Sequence, residues 1–526
     1  MQDQYEIVVV GGGAAGLSGA VALARARRSV LVVDDGTPRN APAGHVHNLL
    51  GQEGTPPADL LTRGRSELGS YGGEVVDDRV DAVADLTDED GIPAFEVTLA
   101  GGARVRARRL LVATGLADEL PDLPGLAARW GKDVLHCPYC HGWEVRDRPI
   151  AVLATGPLAV HQALLFRQLS ADIVLLTHTA GPPAPEDREQ LAARGITLVD
   201  GVVSEVLVED DRLVGVRLAD GTVVPRAVVV VGPRFAARAA WLSGLGLAAV
   251  ERRLGEHVLG TAVPADAAGA TAVPGVRVAG NVTDLSAQVV VSAAAGLGAA
   301  AALNAELVAE DVRIAVAEHR QREAFWEDLY RARDGVWSGR PNRSLVEQVA
   351  RLEPGTALDL GCGEGADAVW LAQQGWTVTG VDLSPTALAR AAEHARAAGV
   401  DGVQWQAHDL DSSFPAGRFD LVSACFLHSP VEVPGRRAEV LRAAASAVAP
   451  GGTLLVVGHV GAPSWQSEPD HPHVVLPLPD EVLADLRLDP SAWRVETCAT
   501  TVVPVTGPDG EPGTREDGVV RATRLA

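Results

Sequence analysis

The chain has 526 residues, 68 acidic against 45 basic, and a formal charge of −23 at pH 7, so its surface repels phosphate backbones and anionic lipid headgroups. Nucleic acid and membrane surfaces are therefore excluded as expected partners, and small molecules are expected instead. Apolar residues make up 47% and charged ones 21%, the balance of a globular protein long enough for three or four domains with separate cores.

The N-terminus, MQDQYEIVVVGGG, lacks the basic start and apolar region of a secretory signal and enters a strand at once. Residues 6–35, EIVVVGGGAAGLSGAVALARARRSVLVVDD, read as strand, glycine turn, Ala/Leu helix and a second strand ending in acid. In this βαβ unit Gly11 and Gly13 allow a tight turn close to a pyrophosphate and Gly16 lets helix pack on strand. Asp34 or Asp35 is placed to bond ribose hydroxyls. The expected ligand is a dinucleotide.

Next come LLVATG (110–115, with Thr114 and Gly115) and LHCPYCHGWEV (135–145). Five cysteines are an odd number for a disulfide framework, and a cytosolic CxxC is more often catalytic or metal-binding than structural. Zinc needs four converging ligands. Neighbours such as His136 and Cys137 do not converge on one ion, and no second CxxC or HxxxH is present, so no metal site is expected. An inert disulfide gains little from closing a two-residue loop, which leaves a redox dithiol at Cys137 and Cys140. VAGNVTD (278–284) and QVVVSAAAGLGAAAALN follow, and the apolar run 289–304 reads as too short and too rich in Ala and Gly for a bilayer span. A cytoplasmic location is expected.

These landmarks together resemble the FAD-dependent, low-molecular-weight thioredoxin reductase-like family over the first 320 residues. The resemblance implies an FAD domain made of residues 1–116 plus 244–320, with Gly280 and Asn281 near the flavin, and an inserted NAD(P)-type domain, 117–243, carrying the CxxC. In that inserted domain the resemblance implies a second Rossmann turn at IAVLATGPLAVHQALLF (150–166), and Ala154, Thr155 and Gly156 stand at its glycine positions. Side chains there obstruct approach to a pyrophosphate, and IVLLTHT (173–179) ends without the arginines that read a 2′-phosphate, which argues against NAD(P)H. Asn281 stands where that family has aspartate. It also implies that Cys140 faces the flavin and that Cys137 exchanges with the partner sulfur. CPYCHGWE is closer to the gliotoxin- and holomycin-type dithiol oxidases than to the CATCD of true thioredoxin reductases. His141, in place of the usual acid, can exchange a thiol proton near neutral pH, with packing alone as the plainer alternative. His45 and His47 lie in a segment that approaches flavin in the same subgroup. The family's members are commonly dimers, so a homodimer is expected.

Beyond residue 305 a charged helical stretch leads to PGTALDLGCGEGADAVWLAQQGWTVTGVDLSPTALARAAEHARAAG (354–399), a βαβ unit with a tighter glycine code. An acid, Asp359, precedes Gly361, Gly363 and Gly365. Asp382 closes the second strand, placed for ribose hydroxyls, and Asp409 follows the third strand, where an acid can bond an adenine amine. FDLVSACFLH (419–428) and APGGTLLVVG (449–458) supply the next strands. The region 321–526 thereby resembles class I methyltransferases that use S-adenosyl-L-methionine, and WSGRPN (337–342) resembles the lead-in of the thiopurine and tellurite-type small-molecule group, with Trp337 and Asn342 as lid or acceptor residues. The fold expected is α/β throughout: a two-domain Rossmann-like flavoprotein fused to a Rossmann-like methyltransferase. The function expected is bifunctional, FAD-dependent dithiol oxidation plus methylation of a small molecule, with a thiol among the candidate acceptors. The alternatives are an NAD(P)H-dependent thioredoxin-disulfide reductase fused to an unrelated methyltransferase, and a non-catalytic flavoprotein scaffold.

Overall fold

The computed structural model describes residues 1–88, 91–431, 433, 435–465, 476–506 and 511–526. The chain folds into two compact units, Met1–Asp311 and Val312–Ala526.

In the first unit the Gln4–Val10 strand pairs in parallel with Val30–Asp34 on one side and Arg104–Val112 on the other. Its near-continuous apolar run is the mark of a strand buried on both faces: Val8 and Val10 point into one core with Leu31, Val33 and Phe95, and Ile7 and Val9 into another with Leu23, Leu111 and Leu303. Glu74–Asp77 and Val276–Val278 extend this parallel sheet, and the antiparallel strands Val80–Asp85 and Phe95–Leu99 complete it. A second, five-stranded sheet is parallel throughout, ordered Thr197–Val199, Ile173–Leu176, Ile150–Leu153, Val228–Val231, Val134–Leu135. The chain passes from the first sheet to the second through Leu116–Glu119 and returns through Arg234–Ala237, and these two strands pair with each other.

The helix Val289–Arg331 is 43 residues long and runs without a break past residue 320, well beyond the apolar stretch visible in the sequence. By length and composition it is long enough and apolar enough to cross a membrane. In the first unit its small face, Ala299, Ala300, Leu303 and Leu307, is buried against the first sheet. Polar residues further along hold it there: Glu310 takes Arg108 and Arg109, and Asp311 takes Arg28 and Arg108. Arg109 and Glu310 are both almost fully buried. Truncating one partner strands a buried charge, so Glu310→Ala is expected to cost about 3–5 kcal/mol in urea unfolding of the first unit. A loss below about 1 kcal/mol would show that water reaches and solvates the orphaned arginine.

The second unit is one seven-stranded sheet ordered Gln404–Ala407, Thr377–Asp382, Thr356–Leu360, Phe419–Cys425, Val448–His459, Pro512–Arg524, Trp493–Thr506. The first five strands are parallel, and the last two form an antiparallel hairpin on the edge. The strand order reverses between Thr356–Leu360 and Phe419–Cys425. This opens a crevice at the carboxyl ends of the strands, where ligands of such sheets bind.

Candidate functional site

The first glycine turn leaves the Gln4–Val10 strand and enters the Ala14–Arg25 helix, whose N-cap, Gly13, has no side chain to satisfy the first-turn N–H groups. Gly11 has φ +105, and a Cβ there would lie 2.4 Å from the Ala113 carbonyl oxygen; at Gly13 a Cβ would meet nothing within 4 Å. The turn is thus packed on one side and open on the other. Gly16 lies behind it, against the Gly11 carbonyl.

The open side faces a cavity of about 1120 Å³. Gly11, Gly13, Asp34, Asp35, Thr114, Gly115, Gly280 and Asn281 all line it, and so do Cys137, Cys140 and His141. Gly16 is the one predicted residue of this unit set back from the cavity. Asp34 accepts from the Gly12 N–H at 3.1 Å and pairs with Arg65, so it also shapes the turn, whereas Asp35 is exposed and bonds Thr37. Asn281 donates to the Asp284 and Ala287 carbonyls and accepts from Arg39 at 3.3 Å, which an amide can do and an aspartate cannot. The cavity's size, its unblocked helix N-terminus and its acids at the strand end fit a large dinucleotide.

Both thiols are free, at the start and third position of the short helix Pro138–His141. The Cys140 thiol donates to Cys137, and this hydrogen bond lowers the Cys137 pKa to about 7 against the opposing effect of burial; the same bond, with burial, pushes Cys140 up. Arg39 also favours the Cys137 thiolate and was not visible in the sequence as a site residue. It is clamped by Asp118 through two hydrogen bonds and stacks on Phe235, partners too distant in the chain to be read from it. Burial keeps His141 neutral, and its Nε2 is sealed without a hydrogen-bond partner. Its neighbour Glu144 lies 3.4 Å from His47, while His47 bonds Glu53 and Asn48 donates to the Tyr139 carbonyl. The segment holding His45 and His47 is thereby tied to the CxxC turn. His136 accepts from Gln162, a second unforeseen site residue.

At the second Rossmann turn Thr155 donates to the Gly232 carbonyl. The one remaining glycine is covered: a Cβ on Gly156 would lie 2.4 Å from the ring of His257, so an imidazole sits where a backbone has to meet a pyrophosphate.

In the second unit Asp359 is fully buried; Oδ1 accepts from Ser423 at 2.9 Å, and Oδ2 has no partner. Burial and the nearby Asp367 raise its pKa, an electrostatic need that a cationic ammonium group satisfies. Gly361, Gly363 and Gly365 all have positive φ, and Asp382 accepts from the N–H groups of Gly363 and Ser384, each at 2.9 Å. Tyr330 and Trp337, bonded to each other at 3.0 Å, lie over Gly363. Asn342 pins the Trp337 segment by two 2.6 Å bonds to Asp367. Asp409 is not free: His319 and Arg322 bond it at 2.6 and 2.8 Å. An amino-acid tail with a ribose fits the acids and glycine loop, while an adenine amine has to share Asp409 with those two side chains.

The first unit has the architecture of two-domain flavoprotein disulfide oxidoreductases, and the second that of class I methyltransferases. Residues 5–296 match the pyridine nucleotide-disulphide oxidoreductase family, and residues 357–452 match a methyltransferase domain. The chain belongs to the pyridine nucleotide-disulphide oxidoreductase family, as a thioredoxin reductase-like domain fused to a methyltransferase domain. The families bring FAD to the first unit and S-adenosylmethionine to the second.

Thioredoxin reductase aclD of Aspergillus oryzae is 35% identical over 227 residues, 41% of this chain and 71% of that protein. A probable thioredoxin reductase of Arthroderma benhamiae is 36% identical over 159 residues, 30% of this chain, and the match spans only 39% of that relative's length. The crystal structure of HlmI is 47% identical with a TM-score of 0.57, covering 61% of this chain and 98% of that one. An oxidoreductase from Agrobacterium tumefaciens is 32% identical with a TM-score of 0.53, covering 58% and 99%.

Proposed function

We propose that the protein is a bifunctional enzyme: its first unit oxidises a small-molecule dithiol to a disulfide, and its second methylates a small molecule at a thiol. The observation carrying the first half is that both cysteines open into the cavity of the first glycine turn, while His257 covers the second turn. In this reading residues 1–116 with 244–320 hold FAD, 117–243 present the cysteines and 321–526 hold the methyl donor. Asp34, Asp35, Thr114, Gly115, Gly280 and Asn281 join the glycine turn around FAD. Asp359, the Gly361–Gly365 loop, Asp382 and Asp409 take S-adenosylmethionine. When bound, FAD would supply the two-electron acceptor for the dithiol, with dioxygen as the terminal oxidant.

The work of the side chains follows from their settings. With Cys137 and Cys140 oxidised to a disulfide, one substrate thiolate bonds to Cys137 sulfur and the Cys140 thiolate leaves. The second substrate thiol then attacks the mixed disulfide, frees Cys137 and departs joined to the first. His141, kept neutral by burial and lining the same cavity, takes the second thiol's proton. In the reduced enzyme the Cys137 thiolate, favoured near pH 7, is the group expected to react with iodoacetamide. Peptide mass mapping should show its alkylation rising through about pH 7, with Cys140 modified far more slowly. Faster alkylation of Cys140 would reverse the two roles.

The test is anaerobic mixing of the FAD-loaded protein with dithiothreitol, NADPH and NADH in turn, read from flavin absorbance. Bleaching by dithiothreitol alone, with recovery in air, is the expected result. Bleaching by either nicotinamide favours a second reading, an NAD(P)H-dependent reductase, which the names of the thioredoxin reductase relatives support. The proposal further takes the protein to act as a cytoplasmic homodimer, and light scattering of the purified chain at twice 54.7 kDa is the expected mass.

A further inference from the structure

We propose that His459, backed by Asp517, is the general base that ionises the acceptor thiol in the second unit. This rests on the reading of that unit as a thiol methyltransferase. His459 ends the Val448–His459 strand, directly opposite Asp517 on the neighbouring strand. Its Nδ1 is sealed from solvent and lies 3.8 Å from Asp517 Oδ1. A third of the side chain stays exposed, which leaves Nε2 as the accessible nitrogen. Asp517 is almost fully buried, and Arg515 fixes it through Nε and Nη2 at 2.7 and 3.1 Å. Burial works against its charge, yet His459 and Arg515 hold its carboxyl below the ordinary range, so it stays ionised to support an imidazolium.

The pair stands at the same sheet end as the glycine loop, and two neighbours connect them. Phe426 has φ +56, a strained setting for a bulky residue just past the strand Phe419–Cys425. That turn sends Leu427 against Gly361, 2.7 Å from where its Cβ would be, and His428 beneath His459, whose backbone N–H it accepts at 3.2 Å. Phe426 itself stacks between the His459 ring, at 4.4 Å, and the Arg515 guanidinium, at 4.7 Å. Gly458 permits this packing, since a Cβ there would stand 3.1 Å from His428 Nε2.

Among the described residues, the charged and titratable groups facing His459 are Asp517, Arg515, His428 and, beyond His428, Arg437. His428 does not compete for this role: its Nε2 is occupied, and burial with Arg437 and His459 nearby lowers its pKa to about 3. It is a positioning residue for the His459 backbone.

In the step assigned to His459, Nε2 takes the S–H proton as the thiol sulfur bonds the methyl carbon. The pair of the broken sulfonium–carbon bond stays on the donor's sulfur, and the imidazolium later releases the proton to water. Atoms and charge balance without another reactant.

The test uses the full chain with two probe acceptors, phenylmethanethiol, un-ionised at neutral pH, and 4-nitrothiophenol, already ionised. His459→Gln is expected to lower kcat on phenylmethanethiol by ~10²-fold and change it little on 4-nitrothiophenol. Asp517→Asn is expected to lower kcat on phenylmethanethiol more than on 4-nitrothiophenol. Equal losses on both thiols overturn the assignment. A second readout needs no turnover: ethoxycarbonylation by diethyl pyrocarbonate, located by peptide mass mapping. His459 should be modified while the buried His428 is spared, and an unmodified His459 overturns the proposal. Methylation of neither thiol by the wild-type chain sinks the thiol-methyltransferase reading, while the ethoxycarbonylation pattern still tests the base.

Discussion

Cys137→Ser is expected to lose dithiol oxidation by on the order of 10⁴-fold or more, with the FAD content of the purified protein unchanged. The large effect follows from the chemistry of exchange. A serine hydroxyl forms no disulfide and is not ionised near pH 7, whereas the Cys137 thiol ionises at about 7. Cys140→Ser should fall equally far, because the pair acts as a unit and neither sulfur alone can hold two electrons as a disulfide. His141→Gln should fall less, by ~10²-fold, since it removes a proton acceptor and leaves the exchange intact. The assay is oxygen consumption with dithiothreitol, beside methyl transfer to a thiol as a control for the second unit. Turnover of Cys137→Ser within about tenfold of wild type would mean that substrate thiols are oxidised without the pair.

Gly11→Ala is expected to yield protein that has lost most of its FAD and unfolds at lower temperature. An alanine at φ +105 costs about 1–3 kcal/mol in backbone strain. The new Cβ, 2.4 Å from the Ala113 carbonyl oxygen, also forces the turn away from the Arg104–Val112 strand on which the cavity is built. Gly13→Ala is the informative partner. Nothing lies within 4 Å of its added Cβ, so the fold should keep its melting temperature while the methyl group intrudes on the cavity and weakens FAD. Bound flavin per chain and the melting temperature read the two effects separately. Equal melting temperatures for Gly11→Ala and wild type would show that the strand gives way without cost.

Much of the fold was legible because it is written in local patterns. A β-branched run, a glycine turn and an Ala/Leu helix specify a βαβ unit within about 30 residues, and the two glycine codes differ enough to separate a dinucleotide turn from a methyl-donor loop. The CxxC is likewise local, and its two thiols meet because only two residues separate them. What the sequence did not show is that the apolar run and the charged helical stretch beyond residue 305 form one helix, Val289–Arg331, because polar contacts between residues remote in the chain fix its middle, as in the Arg109–Glu310 bond with a separation of 201.

The sequence by itself determined the α/β class, both nucleotide-type loops, the dithiol and the absence of a full glycine set at the second turn. Only the tertiary structure decided what surrounds them. It placed Arg39 beside Cys137, laid His257 over Gly156, engaged Asp409 with His319 and Arg322, and set His459 against Asp517. Those pairings join strands and loops far apart in the chain. A residue's neighbours across a sheet depend on strand order and register, which local periodicity does not encode, and the ionisation of each group depends on burial that exists only once the sheets have packed.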